Sequence, residues 1–143
     1  MAHPDLEKIL VLLLDSARGM LDAEGRFLPF AAVVDVQGRL SLLDAEPEDE
    51  IEVPIFVEAI QQGLRRAVTA GDIVAAGMCA DVHVDLPGDS GSSDAICAQL
   101  ERENGECFDV YLPYRLEHGA GALYAEPFAV TGEMRLFSIR NAD

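Results

Sequence analysis

The chain is 143 residues long and half hydrophobic, a length suited to a single domain (1–143) with a sizeable core and a composition that excludes disorder. Its 26 acidic residues outnumber 10 basic ones for a net charge of -16, and no Lys/Arg cluster exists beyond Arg65-Arg66. Nucleic acid and anionic membranes are therefore not expected as partners, because both require clustered cations.

The longest purely apolar run, Ile9 to Leu14, falls well short of the roughly 20 residues of a membrane span. The N-terminal segment lacks the basic flank of a secretory signal. Three cysteines without CxxC spacing suit a reducing cytoplasm better than a disulfide framework. A cytoplasmic location is the expectation.

In chain order, Leu6, Ile9, Leu10, Leu13, Leu14 and Ala17 recur at helical spacing, which predicts an amphipathic helix from Asp5 to about Arg18. Pro4 and Asp5 suit its first turn; Gly19 is an expected stop, with extension through Met20 and Leu21 as the alternative. Phe27 to Leu43 reads as a hairpin. Its first strand, Phe30-Ala31-Ala32-Val33-Val34, is the continuous apolar run of a central strand; Asp35-Val36-Gln37-Gly38 turns the chain and Arg39-Leu40-Ser41-Leu42 returns it. Asp44 to Glu50 is an acidic linker. A second helix is expected from Val53 to Ala70, burying Val53, Phe56, Val57, Ile60, Leu64, Ala67 and Val68, with Gly71 as its cap.

Asp72 to Asp85 alternates as a long strand: Val74, Ala76, Met78, Ala80, Val82 and Val84 form one apolar face. The opposite face carries Ile73, Ala75, Gly77 and Cys79, then Asp81, His83 and Asp85. Leu86 to Ser93 reads as a flexible crossing. Asp94 to Tyr114 is a hairpin around Asn104-Gly105. A three-residue loop, Glu103-Asn104-Gly105, sets Leu100 opposite Phe108, Ala98 opposite Val110 and Ile96 opposite Leu112. It also sets Arg102 opposite Glu106, pairing charges at the mouth. A slip of one residue would scatter the apolar side chains over both faces, so the pattern selects this register. Arg115 to Gly121 is an expected loop and Leu123 to Val130 a further strand. Glu126-Pro127 marks that strand as an edge or a bulge. Met134 to Phe137 closes the described pattern.

The expected fold class is α+β: a mainly antiparallel sheet of five to six strands with two helices on one face, in the order α-β-β-α-β-β-β-(β). The other face would expose Ile73, Ala75, Cys79, Cys97 and Tyr111, an apolar surface suited to a homodimer interface. Asp81, His83 and Asp85 share one side of a strand about 7 Å apart and could contribute metal ligands, joined by Cys79, His118 or Glu101. An exposed polar strand end is the favoured reading of the same residues.

Gly88-Asp89-Ser90-Gly91 is similar to the sequence around the nucleophile of trypsin-like proteases, but Ser90 lacks a recognisable partner motif. No phosphate-binding loop occurs, so no cofactor is expected, and no spacing nominates a catalytic residue. The segments Gly25 to Ala31, Asp35 to Gly38, Asp94 to Ile96 and Leu112 to Tyr114 resemble small bacterial proteins of unknown function. Phe30 to Leu40, with the order helix, hairpin, helix, strands, resembles roadblock-type scaffold domains. That resemblance implies dimerisation and regulation of small GTPases or motility systems. The expectation is a non-enzymatic protein acting by association, as a homodimer, with an immunity-type inhibitor of a basic protein partner as one version; the alternative is a small metal-binding protein or enzyme using the Asp81, His83 and Asp85 strand face.

Overall fold

A computed structural model describes residues 3–44, 51–88, 91–117 and 121–137. The elements are α1 (Pro4–Glu24), β1 (Phe30–Asp35), β2 (Leu40–Leu43), α2 (Val53–Thr69), β3 (Ile73–Asp85), β4 (Ser92–Arg102), β5 (Cys107–Glu117), β6 (Gly121–Tyr124) and β7 (Phe128–Thr131). The fold is α+β with an antiparallel sheet. Its strands run in the order β2-β1-β3-β4-β5, and β6 and β7 both pair with β5 along its far edge.

Helix α1 extends past Gly19 because Leu21 continues the apolar stripe and is buried. It ends at Gly25, whose φ of 75° supplies the left-handed cap and whose N–H donates to the Leu21 carbonyl at 2.8 Å. At the other end the His3 ring accepts from the Asp5 N–H at 3.0 Å, partnering one of the free donors of the first turn. The Asp94–Tyr114 hairpin holds the three-residue-loop register at Ile96–Leu112, Ala98–Val110 and Leu100–Phe108. Gly105 has a φ of 96°. The charge pairing at its mouth is different: Arg102 reaches Asp5 at 3.4 Å, and Glu106 instead accepts from Asn104 and from the His3 backbone. Docking of α1 thus competes for the arginine.

Two corrections concern the layers. The helices lie on opposite faces of the sheet. Leu6, Ile9, Leu13 and Leu21 of α1 pack with Phe30, Ala32, Val34, Cys79, Ile96, Ala98, Leu100 and Leu112. Leu64 and Val68 of α2 pack with Ala31, Val33, Ile73, Ala76, Leu136 and Phe137. The reason is visible in β1: five consecutive buried residues, Phe30 to Val34, need cover on both sides. The register shift between Val34 and Asp35 is a bulge opposite Val74, so Ile73 joins the α2 core while Val74 packs toward α1. Second, Leu123 to Val130 is not one strand but two, β6 and β7, interrupted at Glu126-Pro127 where the ladder lacks a donor. Both sit at the edge. Strand β5 also runs on to Glu117, into the expected loop. The linker residues 45–50 lie outside the described residues.

Each face has one tight constraint. On the α1 face, a Cβ at Gly77 would stand 2.5 Å from Ile9 Cγ2 and 2.9 Å from both Leu13 Cδ1 and Leu100 Cδ2. On the α2 face, the buried Glu101 carboxylate accepts from the backbone N–H groups of Arg135, Leu136 and Phe137 at 3.0, 2.9 and 3.3 Å. It draws the segment after β7 onto the sheet, and Leu136 and Phe137 are buried there.

Gly77→Ala should therefore cost about 1–3 kcal/mol through overpacking, and the cost should shrink in an Ile9→Ala background. Urea denaturation of the four-member mutant cycle measures this; an unchanged cost would place the strain elsewhere. Glu101→Ala leaves three backbone donors without their carboxylate and should lose roughly 2 kcal/mol or more. Amide exchange would then speed up first at residues 135–137.

Candidate functional site

Strand β3 outruns its neighbour. Strand β1 pairs with it only as far as Cys79, so residues 80–85 extend beyond β1 with β4 alone beside them. Strands β3 and β4 pair antiparallel out to Asp85–Ser92 as one long hairpin; of the expected crossing between them, Asp89 and Ser90 lie outside the described residues. Leu86 N–H donates to the Gly91 carbonyl at 2.7 Å, and Gly88 and Gly91 both have positive φ. Its register places His83 opposite Asp94 and Asp85 opposite Ser92. The next strand adds Tyr114 opposite Asp94, and β6 adds Tyr124 opposite Tyr114. A polar and aromatic row thus crosses four strands on the α1 face.

Within that row the contacts are specific. His83 Nδ1 lies 3.0 Å from Asp94 Oδ1, and His83 Nε2 lies 3.1 Å from Ser92 Oγ. The Tyr114 hydroxyl donates to Asp81 Oδ1 at 2.7 Å. The Arg18 guanidinium stands 5.4 Å from the centre of the Tyr124 ring. Partial burial pushes the Asp81 carboxyl above its ordinary range; the Tyr114 donation opposes that rise, and nearby Asp94 adds to it. Burial, then the hydrogen bond to Asp81, pushes the Tyr114 phenol up, so it remains a donor at neutral pH.

Comparison with protein-family models, with curated proteins and with solved structures finds no match.

The expected metal set is not assembled by the fold. Asp81 is engaged by Tyr114, His83 by Asp94 and Ser92, and Asp85 joins neither pair. Alternate residues of one strand are too far apart to converge, and each is drawn to a cross-strand neighbour instead. Among the described residues, no three His, Cys, Asp or Glu side chains gather as an ion would need. Cys79 is fully buried, Glu101 is occupied by the 135–137 backbone, and His118 and Ser90 lie outside the described residues.

The five residues expected on one apolar face are also divided. Ala75 and Cys79 pack under α1, and Ile73 under α2. Cys97 stands beside Tyr111 on the α2 side, because Ala80 and not Cys79 is its neighbour on β3. Four of the five are buried, and Tyr111 is half-buried with its ring stacked on Phe128 at 5.2 Å. Burial raises all three cysteine thiols, Cys97 and Cys107 to about 11, so they pack as neutral thiols.

Sequence reasoning missed Ser92, Asp94 and Tyr114. The signal for the first two was the pair of alternating segments flanking Pro87-Gly88 and Gly91, which is a hairpin pattern.

Tyr114→Phe removes the donor that favours ionised Asp81. The Asp81 carboxyl should then titrate at higher pH than in the parent, and stability at neutral pH should fall by roughly 1 kcal/mol. The hydrogen bond favours the charged form, so the deficit is full above the Asp81 pKa and shrinks as that group is protonated. Carboxyl-carbon NMR titration with denaturation at two pH values measures both.

Proposed function

We propose that the protein acts by association, as a homodimer joined edge to edge through β2. The observation that carries this reading is the state of that strand. Among the described residues Leu40-Ser41-Leu42-Leu43 ends the sheet, and all four residues are exposed. An apolar edge strand is normally blunted by charge, proline or cover, because its free backbone groups template another strand.

The register of such a pairing follows from the ladder with β1. Asp35 N–H donates to the Arg39 carbonyl at 3.0 Å, and the pairs continue as Val33–Ser41 and Ala31–Leu43. Antiparallel alternation then turns the N–H and C=O of Leu40 and Leu42 toward the open edge. A second copy related by a twofold axis at Ser41 sets Leu40 of one chain opposite Leu42 of the other. Four main-chain hydrogen bonds form, and four leucines meet on the α1 side. The contact is isologous and closes at two chains. The Asp35 carboxylate prepares the strand by accepting from the Gln37 and Arg39 backbones and the Arg39 side chain.

The net charge of -16 opposes self-association and favours a basic protein partner, so salt separates the two occupants. Screening strengthens a pair of like-charged copies and weakens an acidic–basic complex. Sedimentation at high micromolar concentration should give the mass of two chains, more completely as salt is raised. Leu42→Lys should weaken the dimer roughly 100-fold, since two leucines leave the contact at about 1.5 kcal/mol or more each. A monomer at every salt concentration overturns the reading, and tighter capture of a basic protein at low salt replaces it.

A further inference from the structure

We infer that Ser92, His83 and Asp94 form a nucleophile, base and orienting carboxylate that accept an acyl group from activated esters. This goes beyond the association reading and is independent of it. The argument starts from donor and acceptor capacity. An ionised Asp94 can only accept, so the 3.0 Å contact requires the proton of the neutral His83 ring to sit on Nδ1. The lone pair is then on Nε2, 3.1 Å from Ser92 Oγ, and Ser92 has to be the donor in that contact. That is the arrangement in which an imidazole removes a serine proton while a carboxylate holds its tautomer.

The fold presents the array for reaction. His83 and Asp94 are directly opposed on paired strands, and Ser92 lies two residues before Asp94 on the same face. His83 and Asp94 are both more than half exposed, so a substrate reaches the hydroxyl without an opening step. In the reaction, Ser92 Oγ bonds to the ester carbonyl carbon and its proton passes to His83 Nε2. The carbon–oxygen bond to the leaving group then breaks, and the leaving alkoxide takes that proton. Water, deprotonated by the same ring, releases the acid and restores Ser92.

The array supplies base catalysis, worth roughly 10²–10⁴-fold. Poor leaving groups need stabilisation of the developing oxyanion in addition, so the substrate class is esters with a good leaving group. The net charge of -16 further selects neutral or cationic esters over anionic ones.

The test uses p-nitrophenyl acetate with the full chain. Peptide mass spectrometry should find acetyl on Ser92, and Ser92→Ala should abolish that product. His83→Ala should slow its formation roughly 100-fold. Asp94→Asn probes the positioning residue: its amide donates to Nδ1, moving the ring proton to Nε2. Acylation should fall as in His83→Ala, and imidazole nitrogen shifts should report the changed tautomer while the circular dichroism stays the same. Acetyl found only on other nucleophiles such as Lys8, or equal acylation of Ser92 in parent and His83→Ala, overturns the proposal.

Discussion

Helix α1 lies as close to the sheet as it does because β3 carries no side chain at position 77. Ile9 and Leu13 occupy the space that a β-carbon would take, directly beside Leu100 of the neighbouring strand. With the helix seated at that depth, its N-terminal end meets the β4–β5 turn, where Asp5 takes Arg102 and the His3 backbone reaches Glu106. Its C-terminal end meets the opposite end of the sheet, where Asp22 accepts from Ala122 and Arg18 covers Tyr124. One close approach in mid-strand therefore sets contacts at both ends of a 21-residue helix. The row from His83 to Tyr124 lies on that same face through the register of β3 to β6.

The opposite face is organised around a charge. Glu101 is almost fully buried, a costly position for a carboxylate unless hydrogen bonds replace the lost water. Three successive backbone donors do so, and the arginine that leads them also approaches Asp109 at 3.7 Å. A second cation, Arg65 of α2, donates to the Arg135 carbonyl at 3.1 Å. The helix and the segment after β7 are thus bound to each other as well as to the sheet.

Local pattern made some of this legible and long-range pairing hid the rest. The Ile96–Leu112 register was readable because only one alignment gathers the apolar side chains of that hairpin. Both helices were readable from their stripes. The two-sided burial of Phe30 to Val34 was written in the apolar run itself, but which helix covers which side is a long-range contact, and the bulge at Val74 that turns Ile73 to the α2 side is announced by no local pattern. The pairing of β3 with β4 decided the site. Once Cys97 aligns with Ala80 and Asp94 with His83, the supposed apolar face divides and a serine and carboxylate come to the histidine. A strand viewed alone offers Asp81, His83 and Asp85 as neighbours, whereas the sheet gives each a different partner.

The Glu101 cluster also bears on the order in which the protein can be completed during synthesis. Phe137 is fully buried and Leu136 nearly so, and both belong to the same core as Val33 of β1 and Leu64 and Val68 of α2. Those earlier residues leave the ribosome long before residue 137 does. Among the described residues the α1 core draws on nothing later than Tyr124, so that part can be complete while the other side of the sheet still exposes its acid and an apolar floor. The second face closes only when residues 135–137 reach the Glu101 carboxylate.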